Sequence, residues 1–255
     1  MNKELLEVAK HASQKEYVQA VLYVASHGSQ NYGLYQEGES DRDYTVFFMP
    51  TQDKLLFTGP LRARQVTMNN EVEYKLFDVR NLLSNMDKAN LSSLDFLWAK
   101  HEYVHSSAQP LFEWLHENSF YLLKSRNVRL SKAHMGQFYS LQKKGTDVKP
   151  KDLVQSFYFL QLSSLLLDTK TPKRFYSFAK QGSLWNELFG TPDLVEVKFS
   201  KDLNPSKVLE LMDRTKKVFQ DLDTRTENME DEPLDQNRLY LKLKREMAKL
   251  LLNYF

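Results

Sequence analysis

The apolar positions change period several times over the first hundred residues. Leu5, Leu6 and Ala9 recur at helical spacing and predict an amphipathic helix over 2–13. Residues 17–25, YVQAVLYVA, are rich in β-branched and aromatic side chains and predict a buried strand. Residues 43–49, DYTVFFM, predict a second strand, stopped by Pro50. Between them runs SHGSQNYGLYQEGESDRD, a turn-rich stretch containing Gly28, Gly33 and Gly38. Residues 51–70 read as a loop or short hairpin. Over 71–77 the alternation is strict: Val72, Tyr74 and Leu76 face one way, and Glu71, Glu73 and Lys75 the other. That pattern predicts a strand with one polar face. Helices are expected over 78–88 and 91–99, and a short edge strand over 102–106.

The pattern changes near residue 107. QPLFEWLHENSFYLLK, LSKAHMGQFYSLQKK and KDLVQSFYFLQLSSLLLD all carry a helical period. Residues 183–200 are irregular, with strand potential in LVEVKF. Two more amphipathic helices are expected over 205–223 and 236–254. The acidic residues between them (Asp221, Asp223, Glu227, Glu230, Asp231, Glu232) read as a solvated loop. No internal repeat is visible. The fold class expected is α+β. Residues 1–106 form a small mixed sheet with helices on one face, and residues 107–255 an all-helical region.

Composition narrows the chemistry. The 255 residues hold no cysteine, which removes disulfides, thiolate nucleophiles and thiolate metal sites. Any metal must sit on oxygen or imidazole. Basic and acidic residues nearly balance at 35 and 33, so the charge does not mark a nucleic-acid binder, though a local basic groove would still serve one. No apolar run approaches a membrane span, and the N-terminus lacks the apolar core of a secretory signal. The expectation is a cytoplasmic protein with no membrane partner.

The informative segment is Gly28-Ser29-Gln30-Asn31-Tyr32-Gly33-Leu34, followed by Ser40-Asp41-Arg42-Asp43. A strand ends at Gly28-Ser29 and the chain turns sharply, as glycine permits. A short helix starting at Ser29 would present backbone N–H groups and a hydroxyl to an anion. Asp41 and Asp43 lie two apart at a strand start, so their side chains share a face. Two such carboxylates need a cation, and oxygen ligands suit Mg²⁺ or Mn²⁺. Glu73, or Glu71 one step along the same face, would supply a third carboxylate. Glu73 sits nearer the apolar centre of its strand and is the stronger candidate.

Here the chain resembles the DNA polymerase beta-like nucleotidyltransferase superfamily. The string GSxxYGLxxxxxSDxD, then VFFMPTQDKLLFTG, then EYKLFDVRNLLSNMDKANLSSLDFLW, is similar to the branch linked to RNA repair in bacteria and phages. Sharp motifs are confined to residues 26–98. The departures are Gln30 where the family usually has Arg, Thr45 and His27 where smaller or apolar residues are commoner, and Asp95 for a family Glu. The resemblance implies a nucleotidyltransferase fold. It also implies that Asp41, Asp43 and Glu73 are catalytic residues and ligands of two Mg²⁺. Gly28, Ser29 and Gln30 would bind the nucleotide, with Lys132 from the basic region that also holds Lys143, Lys144, Lys149 and Lys151.

Other residues carry blander expectations. Tyr32 is read as packing under the turn, Arg42 as a salt-bridge residue on the opposite face, and Asp95 as a buried brace. Arg129-x4-His134 matches a loose ribonuclease motif by chance. The function expected is transfer of NMP from an NTP to an acceptor hydroxyl, most readily an RNA end. The alternatives are a protein or small-molecule hydroxyl, and a catalytically silent nucleotide-binding module. A metal-dependent phosphodiester hydrolase is disfavoured.

Overall fold

The computed structural model describes residues 2–38, 40–69, 72–99, 101–170, 172, 194–199 and 205–254. A five-stranded mixed sheet is built from β1 (Val18–Ser26), β2 (Arg42–Pro50), β3 (Arg64–Asn69), β4 (Val72–Asp78) and β5 (Glu102–Val104). The order is β3-β4-β2-β1-β5. β1 and β2 run antiparallel, β2 and β4 parallel, and β3 and β5 close the two edges antiparallel. The fold is α+β, as the change of period indicates.

The sheet buries apolar side chains on both faces. Helix α1 (Lys3–Ser13) lays Leu5, Val8 and Ala12 against Val21, Val24, Val46, Tyr74 and Leu76. Asn2 caps it, accepting from the Glu4 N–H at 3.0 Å. The opposite face carries Tyr23, Phe47 and Phe77 into the larger cluster. The main helical layer lies on that face, and α1 adds cover to the other.

The segment between β2 and β4 forms α3 (Gln52–Phe57) and the edge strand β3. Its turn is fixed by an ion pair on a buried carboxylate: Arg80 Nη2 lies 2.6 Å from Asp78 Oδ2. Arg80 also donates to the Thr58 and Gly59 carbonyls, and Asp78 accepts from the Leu61 N–H. Beyond β4 come α4 (Asn81–Lys88), α5 (Leu91–Leu94) and a tight 3₁₀ turn, Asp95–Trp98.

The helical region comprises α6 (Gln109–Lys124), α7 (Asn127–Gln142), α8 (Pro150–Asp168), α9 (Leu194–Phe199), α10 (Pro205–Thr226) and α11 (Arg238–Leu252). LVEVKF is therefore helical rather than a strand. Its β-branched residues favour extension locally, but as α9 the segment packs against α8 and tertiary contact decides. One apolar cluster runs from Phe47 and Phe96 through Phe112 and Leu115 to Tyr158, Leu222 and Leu243.

The acidic stretch is not merely solvated. α10 extends through Asp221 and Asp223 to Thr226. Asp231 accepts from the Val128 and Arg129 N–H groups at 3.0 Å each, so it caps the first turn of α7 from a distant part of the chain. Among the described residues no helix is long and apolar enough to cross a membrane.

Candidate active site

β1 delivers the chain to His27 and Gly28. Gly28 has φ 66° and ψ −134°, a conformation open in practice only to glycine. The left-handed Gly33 ends the single-turn helix α2 (Ser29–Tyr32). The Gly28-Ser29 turn is locked to β2, because the Asp43 carbonyl accepts from His27 N–H at 2.9 Å and from Gln30 Nε2 at 2.8 Å. A Cβ on Gly28 would stand 3.5 Å from Asp43 Oδ2, so the turn runs directly beside that carboxylate.

The parallel register of β2 and β4 sets the next feature. Asp43 pairs with Glu73, and Thr45 pairs with Lys75. Two residues further along the same face, Phe47 and Phe77 stack at 5.5 Å in the core. One face of two strands thus grades from acidic, through polar, to apolar. Asp41 lies just before β2 and is exposed, while Asp43 and Glu73 are half-buried.

These residues line a cavity of about 280 Å³ with His27, Gly28, Ser29, Gln65, Lys75, Lys151 and Lys198. Burial pushes the Asp43 carboxyl above its usual range. His27, Lys151 and Lys75 act the other way, and Asp41 adds to the rise. Lys198 reaches in from α9 and donates to the Leu34 carbonyl at 2.8 Å and to Ser40 Oγ at 3.4 Å. Burial, then Lys151, lowers its pKa to about 8, against Asp43 and Asp41. Glu73 accepts from Gln65 Nε2 and, at 3.2 Å, from Thr67 Oγ1.

The chemistry of the donors suits a hard dication: three carboxylates line one cavity, and Asp43 is desolvated with too little compensating charge. Their placement is looser than a finished cage. Among the described residues no group of three His, Asp or Glu side chains converges closely enough to hold an ion. Glu73 would join only by releasing Gln65.

Five of the catalytic and nucleotide-binding residues expected from the sequence line one cavity, Gly28, Ser29, Asp41, Asp43 and Glu73, and Lys151 of the basic region, His27 and Tyr32 line it with them. Glu71 lies outside the described residues. Gln30 turns to the Asp43 carbonyl instead of lining the cavity, so it braces the turn. Lys132 must be corrected. The buried face of α7 is Leu130, Ser131, His134, Met135, Phe138 and Leu141, which leaves Lys132 exposed to solvent and away from the cavity. The lysines at the cavity are Lys75, Lys151 and Lys198. Lys75 was detectable as the next residue on the polar face of Glu73. Lys198 carried no local signal.

The blander readings hold. Tyr32 is buried, its ring 4.3 Å from that of Tyr158, and its hydroxyl donates to Asp95 Oδ2 at 3.0 Å. Arg42 pairs with Glu4 at 2.9 Å on the far face. Arg129 is held by Asp87 at 2.8 Å, and His134 is buried with its ring 4.9 Å from that of Phe159. Those two residues form no site.

No family model matches the chain, and no curated protein matches it. Among solved structures it is similar to a nucleotidyltransferase-like protein from Exiguobacterium sibiricum 255-15. The identity is 13%, the TM-score is 0.32, and the match covers 98% of this chain and 90% of the other.

Proposed function

We propose that the chain is a nucleotidyltransferase, taking an NTP and moving its NMP to an acceptor hydroxyl. One observation carries this reading: Asp43 and Glu73 are register partners on adjacent parallel strands, facing the cavity beside the Gly28-Ser29 turn. The sequence motif asks for a DxD pair and an acidic residue on a later strand, and this arrangement supports that reading. Asp41, Asp43 and, after release from Gln65, Glu73 would hold Mg²⁺ or Mn²⁺, which would neutralise phosphate charge and make the acceptor hydroxyl more acidic. Lys75, Lys151 and Lys198 are the cations available to the β- and γ-phosphates. The acceptor hydroxyl loses its proton to solvent as its oxygen attacks the α-phosphorus; a new P–O bond forms, the bond to the bridging oxygen breaks, and pyrophosphate leaves with that electron pair. The residues contribute mainly position and compensating charge.

The sequence resemblance favours an RNA end as the acceptor, in a cytoplasmic repair setting. A protein or a small molecule would present the same hydroxyl chemistry. The silent binding module is the competing reading, because Glu73 is tied to Gln65 and Thr67.

A label-transfer assay decides. The protein is incubated with each α-labelled NTP, Mg²⁺ or Mn²⁺, and a pool of short RNAs, beside an Asp41→Ala/Asp43→Ala control. Label on RNA, lost in the control, is the expected result. Label on the protein itself, or only after small metabolites are added, reassigns the acceptor. NTP binding with no label transfer and no pyrophosphate would establish the silent module and overturn the reading.

A further inference from the structure

Behind the carboxylates runs a second chain of polar groups, of which the transfer reading uses only the last, Lys75. Asp95 is fully buried on the 3₁₀ turn. Its Oδ2 accepts from Gly28 N–H at 2.6 Å and from the Tyr32 hydroxyl at 3.0 Å. Its Oδ1 lies 2.7 Å from His27 Nδ1. The other imidazole nitrogen, Nε2, lies 3.0 Å from Lys75 Nζ, at the cavity. Thr45 Oγ1 stands 3.1 Å from Nδ1.

With a carboxylate at one end and an ammonium at the other, one placement of the imidazole proton serves both contacts. An ionised carboxylate only accepts and an ammonium only donates. Between an ionised Asp95 and a protonated Lys75, a neutral imidazole donates from Nδ1 to Asp95 and accepts at Nε2 from Lys75. A histidine's tautomer is set by the bond its other nitrogen makes.

We infer that His27 is a positioning residue: Asp95 fixes its tautomer so that its Nε2 lone pair holds the Lys75 ammonium at the cavity, where Lys75 meets the triphosphate of the nucleotide. The role of Lys75 rests on the transfer reading; the Asp95–His27–Lys75 arrangement does not. The geometry favours this over a brace alone. Gly28 and Tyr32 already engage Asp95 Oδ2, and a bare brace would leave Lys75 free to extend into solvent. Only one of the three ammonium protons is used by His27, which leaves the others for phosphate oxygens.

Asp95→Asn separates the parts. The amide oxygen can keep the Gly28 and Tyr32 bonds, while its NH₂ turns a donor towards Nδ1. The imidazole proton then moves to Nε2, and two donors confront each other at Lys75. Nitrogen-15 NMR of the neutral imidazole reads the tautomer directly, and calorimetry with inorganic triphosphate reads the consequence. In the wild type, Nδ1 should carry the proton. In Asp95→Asn, Nε2 should carry it, and triphosphate binding should weaken roughly tenfold, as it should in Lys75→Gln. The double variant should be no weaker than either single one.

A wild-type proton on Nε2 overturns the inference. So does a flipped tautomer with unchanged triphosphate affinity. If Asp95→Asn fails to fold, His27→Gln and His27→Leu decide. Gln offers one donor and one acceptor, as the neutral ring does, and should bind triphosphate more tightly than Leu; equal binding overturns the inference. An Nδ1-protonated wild type that binds no triphosphate overturns the role of Lys75 and the transfer reading, while leaving the tautomer assignment standing.

Discussion

Asp43 is a desolvated carboxylate whose nearest help comes from a histidine and two lysines, which do not fully offset its burial. Exchanging it for Asn removes charge at constant shape. Transfer should fall at least roughly a thousandfold in a pyrophosphate-release assay, with the melting temperature nearly unchanged or slightly raised. Lys198 gives a pH signature. It loses its proton as pH rises through about 8, so triphosphate affinity should weaken by roughly tenfold between pH 7 and pH 9.5. Lys198→Arg stays charged and should flatten that profile in calorimetry. His134 gives another signature, in stability. Burial holds its pKa at about 4, below the ordinary 6.5, and its Nε2 has no partner among the described residues. The unfolded chain therefore binds the extra proton first. Stability is complete above pH 6.5 and drains away as pH falls towards 4, by about 3 kcal/mol in all. Denaturant melts of wild type and His134→Phe across that window should show the slope in the first and its loss in the second.

Elements were legible where the apolar period was clean. β1, β2 and β4 could be read directly, and so could the polar face of β4 that carries Glu73, because alternation fixes the faces of each strand. The parallel pairing that aligns Asp43 with Glu73 was not legible, since register is decided between strands rather than within one. LVEVKF was misread because its local preference opposes the helix that packing imposes. Lys132 was misplaced because a charge in a basic stretch has no visible phase until the buried face of its helix is known. Lys198 could not have been found by spacing, as it arrives from well over a hundred residues away. The link between α3, β3 and β4 depends on the Asp78–Arg80 pair, with Asp78 fully buried. Asp78→Ala leaves the part-buried Arg80 guanidinium with the Thr58 and Gly59 carbonyls in place of its counter-charge, and the Leu61 N–H loses its acceptor. The cost should be about 2–3 kcal/mol by denaturant unfolding.

At the scale of the molecule, the division near residue 107 marks a change of secondary structure, while the core continues across it. Tyr23 stacks on Phe112 at 4.1 Å, and Phe47 and Phe96 reach the same ring. A fragment of residues 1–106 would expose that aromatic face and should not fold cooperatively; a sharp thermal transition for it would show otherwise. The cavity likewise draws on both parts, with carboxylates and Lys75 from the sheet and Lys151 and Lys198 from the helices. The account's central claim is that this joint cavity performs phosphoryl chemistry on a nucleotide. Its most direct test is release of pyrophosphate from NTP in the presence of Mg²⁺ and acceptor, compared between wild type and Glu73→Gln. The account predicts release by the wild type and its near-complete loss in Glu73→Gln, with the fold intact. Equal rates in both proteins, or no release by the wild type with any acceptor class despite NTP binding, would contradict it.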